Sequence, residues 1–221
     1  MRAIVFANGT LNDPQQARHL LRPDDLVIAA DGGTRHAWEA GVDPDVVIGD
    51  LDSLTPRERE RLESSGARLD SFSPHKDRTD LEIALLHAAS EGVDEIVILA
   101  ALGGRLDQTI ANLLLLTLPE LVDREVRIVD GAQVAFVIRD TAQIAGRPGD
   151  TVSLIPIGGD ATGVTATGME WPLDQETLHF GPARGVSNVL RAEQASVQVR
   201  QGLLLCVVTH AVDANERGSE S

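Results

Sequence analysis

The first 130 residues alternate short apolar runs with amphipathic segments, and this alternation restricts the fold more than any other feature of the sequence. Four runs have the length of a strand and are apolar almost throughout: AIVFA, LVIAA, DVVIGD and EIVILAAL. Strands of this kind are buried on both faces, as in a parallel sheet covered by helices. The order therefore predicts an α/β domain with a doubly wound parallel sheet over residues 1–130.

The segments between the apolar runs carry helix start signals. Thr55 and Glu58 have the spacing of a capping box, with Pro56 in the first turn, and Thr79 and Glu82 repeat that spacing. These signals predict that two helices begin directly after Thr55 and Thr79.

The pattern changes at about residue 131. From there on, runs such as QVAFVI, DTVSLIPI, GVTATG and SVQVRQGLLLCVVTH are strand-like, and glycine and proline separate them. We predict a small all-β sandwich domain over residues 131–212, with a barrel as the alternative. The polar residues 213–221 are predicted to form a disordered tail.

Composition and charge exclude several classes of partner. The formal net charge is −15, so neither a nucleic-acid backbone nor an anionic membrane would be attracted to the surface. No apolar run reaches the roughly 18 residues that a membrane span requires, and the first residues lack the pattern of a signal peptide. Cys206 is the single cysteine, so no intrachain disulfide can form. We expect a cytoplasmic protein.

Polar residues and glycines stand directly after each of the four apolar runs. They are, in chain order, Asn8, then Asp31, Gly32 and Gly33, then Asp50 and Asp52, and finally Gly103, Gly104 and Asp107. In an open parallel sheet, ligands bind beyond the carboxyl ends of the strands, where the strand order reverses. We therefore expect these four strand ends to share one binding rim.

Asp50 and Asp52 place two negative charges close together. If the chain stays extended, their Cα atoms lie roughly 6.6 Å apart on one side of the strand. Two bare carboxylates at that distance repel each other by about 2.5 kcal/mol at an effective dielectric of about 20, which a bound cation would relieve. Oxygen ligands at a site open to substrate suit Mg²⁺, which also bridges to phosphates. The alternative is that both aspartates are turn residues.

Lys76 and Arg78 supply positive charge just before the helix that begins near Asp80. Cationic side chains and the free N–H groups of a first helical turn both suit phosphate oxygens. The alternative is a solvated loop, with Asp80 complementing the helix dipole. Neither the P-loop pattern G-x-x-x-x-G-K-[ST] nor the G-x-G-x-x-G fingerprint occurs, which disfavours an ordinary P-loop kinase or a nicotinamide dehydrogenase.

Taken together, these motifs resemble those of the thiamine pyrophosphokinase family, also called thiamine diphosphokinase. The matching blocks follow the family's order along nearly the whole chain: ANG (7–9), ADGG (30–33), GDLDS (49–53), KDRTD (76–80), GGRLDQTIAN (103–112), TGMEW (167–171) and VSN (186–188). The resemblance implies an α/β amino-terminal domain, a carboxy-terminal β-sandwich and a homodimer whose active sites lie between subunits. It also implies that ATP and thiamine react to give thiamine diphosphate and AMP.

The resemblance further implies roles for individual residues of the α/β domain. Asp50, Asp52 and Asp80 would be ligands of Mg²⁺ or its near neighbours, and Lys76 would contact phosphate. Asp107 is the candidate to orient or deprotonate the thiamine hydroxyl. The residues expected to bind ATP are Asn8, Asp31, Gly32, Gly33, Lys76, Arg78, Gly104, Arg105, Asp107 and Gln108.

On the β domain, Trp171 stands where the family presents a tryptophan to the thiamine rings, and Ser187 and Asn188 would reach the same substrate. A flat aromatic face suits a cationic aromatic vitamin through stacking and cation–π attraction. Pro172 and Val189 depart from the family pattern, since a glutamate is common at the second position. Two alternatives stay open: a pyrophosphokinase for another hydroxymethyl acceptor such as a pterin, and a non-catalytic sensor of Mg-nucleotide or thiamine.

Overall fold

The computed structural model of the chain describes residues 1–52, 54–71 and 77–211. These residues form two compact units, one over Met1–Gly131 and one from Ala132 onward. Lys76 and the predicted tail 213–221 lie outside the described residues. In the part of the chain that the structure describes, no helix is both long and apolar enough to cross a bilayer.

The first unit contains a parallel sheet with a helix after each of its first five strands. The strands are β1 (Arg2–Phe6), β2 (Leu26–Ala30), β3 (Val46–Gly49), β4 (Arg68–Ser71), β5 (Glu95–Leu99) and β6 (Glu125–Asp130). The helices are α1 (Pro14–Leu20), α2 (Gly33–Glu39), α3 (Pro56–Ser65), α4 (Asp80–Ser90) and α5 (Leu106–Leu115), with a 3-10 turn at Pro119–Leu121. The helices between strands confirm that this part of the chain is of the α/β kind.

The strands of this sheet lie in the order β4-β3-β2-β1-β5-β6, and all five pairings are parallel. Every residue of β1 is buried, as are Ile96–Leu99 of β5, which agrees with their apolar sequences. The chain adds β2, β3 and β4 on one side of β1 and then returns to place β5 and β6 on the other. The strand order therefore reverses between β1 and β5, where open parallel sheets bind ligands.

The helix starts follow the capping signals of the sequence. Thr55 Oγ1 accepts the N–H of Glu58 at 3.3 Å, and Glu58 accepts the N–H of Thr55 at 2.8 Å, which confirms the predicted capping box of α3. At α4, Thr79 Oγ1 accepts the N–H of Glu82 at 3.2 Å. This cap makes Asp80 the first residue of α4.

Strands alone make up the regular structure of the second unit as far as it is described, to residue 211. They are β7 (Gln133–Ile138), β8 (Thr141–Ala145), β9 (Thr151–Thr167), β10 (Leu173–Leu178), β11 (Asn188–Val189), β12 (Gln194–Gln198) and β13 (Gln201–Thr209). The start of β9 pairs with β11 and β13, and its end pairs with β10 and β12, all antiparallel. β13 also pairs with β7, and β12 with β8.

The sequence predicted two strands, DTVSLIPI and GVTATG, where the structure has the single strand β9. That prediction was wrong because the glycines between the two runs form a bulge rather than a loop. Gly158 and Gly159 have φ values of 76° and 149°, and the register with β13 shifts across them. The bulge lets one strand serve both groups of partners.

Candidate active site

A cavity of about 410 Å³ opens in the first unit beyond the carboxyl ends of β1, β2 and β5. It lies where the strand order reverses. Its walls come from the turns after these strands and from the first turns of α4 and α5. The polar residues that line it are Asn8, Thr10, Asp31, Thr79, Asp80, Arg105, Gln108 and Asn112.

Asn8 and Asp31 stand side by side after neighbouring strands. Asn8 Nδ2 donates to Asp31 Oδ2 at 2.8 Å. The backbone of Asp31 has a φ of 49°, a region that costs a non-glycine residue on the order of 1 kcal/mol and that is enriched at functional sites. Its N–H bonds the carbonyl of Ile48 at 2.8 Å, and its carbonyl accepts the hydroxyl of Thr34 at 3.0 Å. The surrounding bonds thus hold this carboxylate at the cavity wall.

Gly32 and Gly33 were expected to bind ATP, but both are buried and neither lines the cavity. A Cβ on Gly32 would lie 2.1 Å from Asn8 Oδ1, and a Cβ on Gly33 would lie 2.1 Å from the carbonyl oxygen of Phe6. The structure therefore accounts for these glycines by the close approach of α2 to the end of β1, without any need for phosphate in their place.

Gly104, in contrast, leaves open space at the cavity. It has a φ of 72°, and a Cβ built on it would meet none of the described residues within 4 Å. Arg105, the N-cap of α5, makes no side-chain capping bond. Because the first N–H groups of a helix have no carbonyl partner inside the helix, this turn presents backbone N–H groups beside the cavity, one of which, that of Gln108, bonds the Asp107 carboxylate.

Arg105 and Asp107 form an exposed ion pair across the first turn of α5. Arg105 Nε donates to Asp107 Oδ1 at 3.1 Å, and the terminal guanidinium nitrogen donates to Oδ2 at 2.6 Å. The hydrogen-bonded guanidinium lowers the pKa of Asp107 from its usual value, and the N–H of Gln108 acts in the same direction. Arg105 lines the cavity and Asp107 does not. The lowered pKa makes Asp107 a weaker base than an unpaired aspartate.

Gln108 and Asn112 add amides to the same wall. They lie four residues apart on α5 and so share one face of the helix. Asn112 is buried and donates through Nδ2 to the carbonyl of Ala101 at 2.7 Å. Sequence reasoning did not single out Asn112 or Thr79 as site residues. The helical spacing from Gln108 could have indicated Asn112, and the capping position before Asp80 could have indicated Thr79.

Asp80 is half-buried at the first position of α4 and lines the cavity. Arg78 is exposed and forms an ion pair with Glu82 at 3.2 Å along the same helix start, and it is not among the lining residues. Lys76, the expected phosphate contact, lies outside the described residues. Of the KDRTD block, then, Thr79 and Asp80 face the cavity.

The chain does not stay extended through Asp50 and Asp52, so the extended-strand assumption behind their spacing was wrong. Leu51 adopts a φ of 61°, and the N–H of Asp52 donates to Asp50 Oδ1 at 3.2 Å. The turn buries Leu51 in an apolar cluster with Val47 and other residues of this unit. Neither aspartate lines the cavity.

The described carboxylates near the cavity do not form a ready-made metal centre. Within residues 1–52, 54–71 and 77–211, no three His, Cys, Asp or Glu side chains form a group that could hold a metal ion. The donor chemistry nevertheless suits Mg²⁺, because Asp31, Asp50, Asp52 and Asp80 offer only hard oxygen ligands at one edge of the sheet. β3 meets β2 at that edge, where a Cβ on Gly49 would lie 3.3 Å from the Cα of Asp31.

In the second unit, Trp171 is 59% exposed, whereas Asn188 is only 8% exposed. Asn188 Nδ2 donates to the carbonyl of Trp171 at 2.7 Å, and Asn188 Oδ1 accepts the N–H of Trp171 at 3.1 Å. Ser187 is exposed, with a φ of 63°, and its N–H donates to the hydroxyl of Ser153 at 3.1 Å. The structure therefore brings the three predicted thiamine residues together, with the carboxamide of Asn188 turned to Trp171.

Two family models match the chain, one over each unit. The model described as "Thiamin pyrophosphokinase, catalytic domain" matches residues 17–129. The model described as "Thiamin pyrophosphokinase, vitamin B1 binding domain" matches residues 138–204. Together the two matches span most of the chain, in the order that the motifs predicted.

Relatives and solved structures agree with these matches. The chain is 29% identical to thiamine pyrophosphokinase of Bacillus subtilis (strain 168), covering 82% of this chain and 86% of the relative. It is 30% identical to thiamine pyrophosphokinase 3 of Oryza sativa subsp. japonica, covering 89% and 82%. The crystal structure of the thiamine pyrophosphokinase from Bacillus subtilis superposes with a TM-score of 0.86 at 26% identity, covering 96% of this chain and all of that chain. The enzyme from Geobacillus thermodenitrificans gives a TM-score of 0.83 at 26% identity, covering 96% and 99%.

Proposed function

The chain belongs to the thiamine pyrophosphokinase family, and on that premise we propose how its residues carry out the reaction. It transfers the pyrophosphoryl group of ATP to the hydroxyl of thiamine, giving thiamine diphosphate and AMP. The observation that carries this conclusion is the match of both family domains, in order, to the two units of the chain. The comparisons give no support to a pterin acceptor or to a non-catalytic sensor.

We propose that the triphosphate of ATP binds in the cavity of the first unit. The first turns of α4 and α5 both border it, and helix N-termini favour negative charge. Gly104 leaves room for phosphate oxygens against the backbone, and Arg105 supplies a cation at the same wall. Asn8, Asp31 and Gln108 line the cavity and are proposed as ATP contacts, and Lys76 keeps its predicted role. Gly32 and Gly33 are instead assigned to the packing of α2 against β1, and Arg78 to the ion pair with Glu82.

Asp50, Asp52 and Asp80 are kept as the proposed Mg²⁺ ligands, because their carboxylate oxygens suit this ion. Their side chains do not form a ready-made three-ligand group among the described residues, so phosphate oxygens and water would complete the coordination. When bound, Mg²⁺ would neutralise phosphate charge and help to align the β-phosphorus with the attacking oxygen. The chain's own part is to supply these carboxylates after β3 and at the start of α4. Removing one of them would weaken the productive binding of ATP.

On the acceptor side, Trp171 is proposed to stack on the thiamine rings, since the residue is 59% exposed and its indole can meet a ligand. Ser187 is proposed to contact the same substrate. The pKa of Asp107 is lowered by Arg105, so we assign Asp107 the task of orienting Arg105 rather than removing a proton. Phosphoryl transfer through a loose transition state depends mainly on positioning and charge, and asks little of a base.

Three broader features belong to the same proposal. Helices cover both faces of the parallel sheet, as in a doubly wound fold, and the second unit closes as a sandwich. The protein is a homodimer with active sites between subunits, which the exposed apolar side chains of α5 support: Leu106 (76% exposed), Ile110 (51%) and Leu114 (48%). We place it in the cytoplasm.

Phosphorus NMR of purified protein with ATP, Mg²⁺ and thiamine tests the function directly. We expect AMP and thiamine diphosphate to appear in equal amounts, and Asp52→Asn to suppress both. Asp123→Asn, at an exposed site next to the start of β6, is the matched control and should leave the rate unchanged. AMP formed only with a pterin acceptor would overturn the substrate, and binding of both ligands without AMP would identify a sensor.

A further inference from the structure

The carboxamide of Asn188 is already occupied by the protein. Its Nδ2 donates to the carbonyl of Trp171 at 2.7 Å, and its Oδ1 accepts the N–H groups of Trp171 at 3.1 Å and of Val189 at 2.9 Å. An amide oxygen has two lone pairs, so these two bonds fill its capacity. The opposite amide orientation would set an NH₂ group against two N–H donors, so the orientation is fixed. With 8% of the residue exposed, little of Asn188 can meet a ligand.

The backbone around Asn188 is held on two sides. On one side Asn188 pairs with Val152 at the start of β9. On the other side Leu190 bridges to Met169, and the N–H of Glu170 donates to the carbonyl of Val189 at 2.9 Å. The segment that leads to Trp171 therefore lies along β11, and β11 lies along β9.

Side-chain packing does little to fix the direction of the Trp171 indole ring. Its side chain is largely exposed, so packing holds the indole weakly, and the direction of the ring depends on the backbone that carries it. Pro172 follows and restricts the preceding residue to extended conformations. The carboxamide of Asn188 also bonds both polar backbone groups of Trp171. The backbone of Trp171 is therefore restrained both by its neighbour in the chain, Pro172, and by a residue of β11.

We propose that Asn188 is a positioning residue for thiamine recognition: it fixes the backbone of Trp171 and so presents the indole, and it does not itself bind thiamine. This inference rests on the proposed function, in which Trp171 stacks on thiamine. It also revises the expectation that Asn188 reaches the substrate. Because both residues act through one ring, their effects on thiamine binding are coupled.

A double-mutant cycle on Asn188→Ala and Trp171→Ala tests the coupling, with KM for thiamine and KM for ATP as readouts. Each single substitution should raise KM for thiamine by about tenfold, the size of a lost cation–π or stacking contact, and leave KM for ATP within about twofold. In the double variant, Asn188→Ala should add less than about twofold to the effect of Trp171→Ala, because the ring that it positions is gone. Independent, multiplying effects would overturn the proposal and indicate direct contact.

Fluorescence supplies a readout that a general loss of stability would not give. In a Trp38→Phe background the remaining tryptophan is Trp171, and thiamine should quench it. Asn188→Ala should weaken the quenching while the ATP kinetics stay near those of the parent, both measured well below the melting temperature of the variant, which the lost hydrogen bonds should lower. If Asn188→Ala does not fold, Asn188→Asp serves, since its carboxylate keeps both acceptor bonds and loses the donor to Trp171. We expect Asn188→Asp to raise KM for thiamine; an unchanged or lowered value would overturn the proposal, because a carboxylate in contact with the cation would favour binding. Should Trp171→Ala alone leave KM for thiamine unchanged, the proposed stacking of Trp171 on thiamine fails instead, whereas failure of the function itself would appear as absence of AMP in the NMR experiment.

Discussion

Single residues at the cavity owe their chemical state to their immediate hydrogen bonds. Asn8 holds one oxygen of Asp31, and Arg105 holds both oxygens of Asp107. The first bond aims a carboxylate at the cavity wall, and the second lowers the pKa of Asp107 and so makes it a weaker base. Motifs name such residues but not their partners, which is why Asp107 could be read as a base from the sequence alone.

Asp107→Asn separates an orienting role from a catalytic base. Loss of the charge should free Arg105 and raise KM for ATP by about threefold, as expected for an exposed ion pair, while kcat changes by less than about twofold. A general base would instead contribute about 10²–10⁴-fold to kcat. Kinetics from pH 5.5 to 9, around neutrality, would measure both, with Asp123→Asn as the control. A large fall in kcat, or loss of an ionisation from its pH profile, would contradict the orienting role.

Gly33 and Gly104 should respond to alanine in opposite ways. A Cβ at Gly33 would lie 2.1 Å from a β1 carbonyl, so Gly33→Ala should destabilise the fold by about 1–3 kcal/mol. A Cβ at Gly104 meets no atom within 4 Å in the part of the chain that the structure describes, so Gly104→Ala carries the cost of its positive φ, about 1 kcal/mol, and narrows the cavity. Urea unfolding and KM for ATP distinguish the two, since only Gly104→Ala should raise KM strongly. A larger stability loss at Gly104 would show that the packing argument is wrong.

At the scale of elements, local signals predicted helix starts well, and strands less evenly. The boundaries of α3 and α4 followed from caps, because a cap is formed by residues three apart in the chain. β4 was not predicted, because its sequence RLDS is short and polar and the strand has β3 as its one partner among the described strands, at the edge of the sheet. β9 was divided in two because a glycine bulge resembles a loop in sequence. The turn at Leu51 depended on burial in a cluster that only the tertiary fold assembles.

Glu58 of α3 forms an ion pair with Arg35 of α2, and the contribution of this pair to stability depends on pH. Its hydrogen bond with Arg35 of α2, and then its bond from the N–H of Thr55, lower its pKa from the usual 4.5 to about 2. A lowered carboxyl pKa stabilises the folded state above pH 4.5, and this contribution is lost as pH falls toward 2. Glu58→Gln keeps the capping box but removes the charge, so it should lower the free energy of unfolding by about 0.5–1 kcal/mol at pH 7.

Urea unfolding of Glu58→Gln and the parent between pH 7 and pH 2.5 would measure this contribution. We expect the difference between the two proteins to be constant near neutrality and to shrink steadily below the usual pKa of 4.5. A difference that stays constant to the lowest pH would mean that packing, not the ion pair with Arg35, accounts for the stability.

Across the whole molecule, the position of the cavity depends on strand order, which no single motif specifies. The motif residues were correctly expected at strand ends, but the cavity spans only β2, β1 and β5. Asp50 and Asp52 follow β3, which lies one strand further out, and neither lines the cavity. The prediction that all four strand ends share one rim was therefore wrong for β3. The same order leaves α5 with one face on the cavity, through Gln108 and Asn112, and another face apolar and exposed.

That exposed face of α5 provides the test of the homodimer. Leu106, Ile110 and Leu114 recur every four residues, so they form one stripe on the helix. If a second copy covers the stripe, Ile110→Glu buries an unpaired charge at the contact and should lower the dimer affinity by about a hundredfold or more. Light scattering over a dilution series would show monomers for this variant at concentrations where the parent is dimeric.

Ala111→Glu is the control, because it places the same charge about 100° around the helix from Ile110 and should keep the parent's mass. Because active sites between subunits need both copies, the activity of Ile110→Glu should recover as its concentration rises. A dimeric Ile110→Glu variant would locate the contact elsewhere, and a monomeric, active parent would remove the homodimer from the proposal.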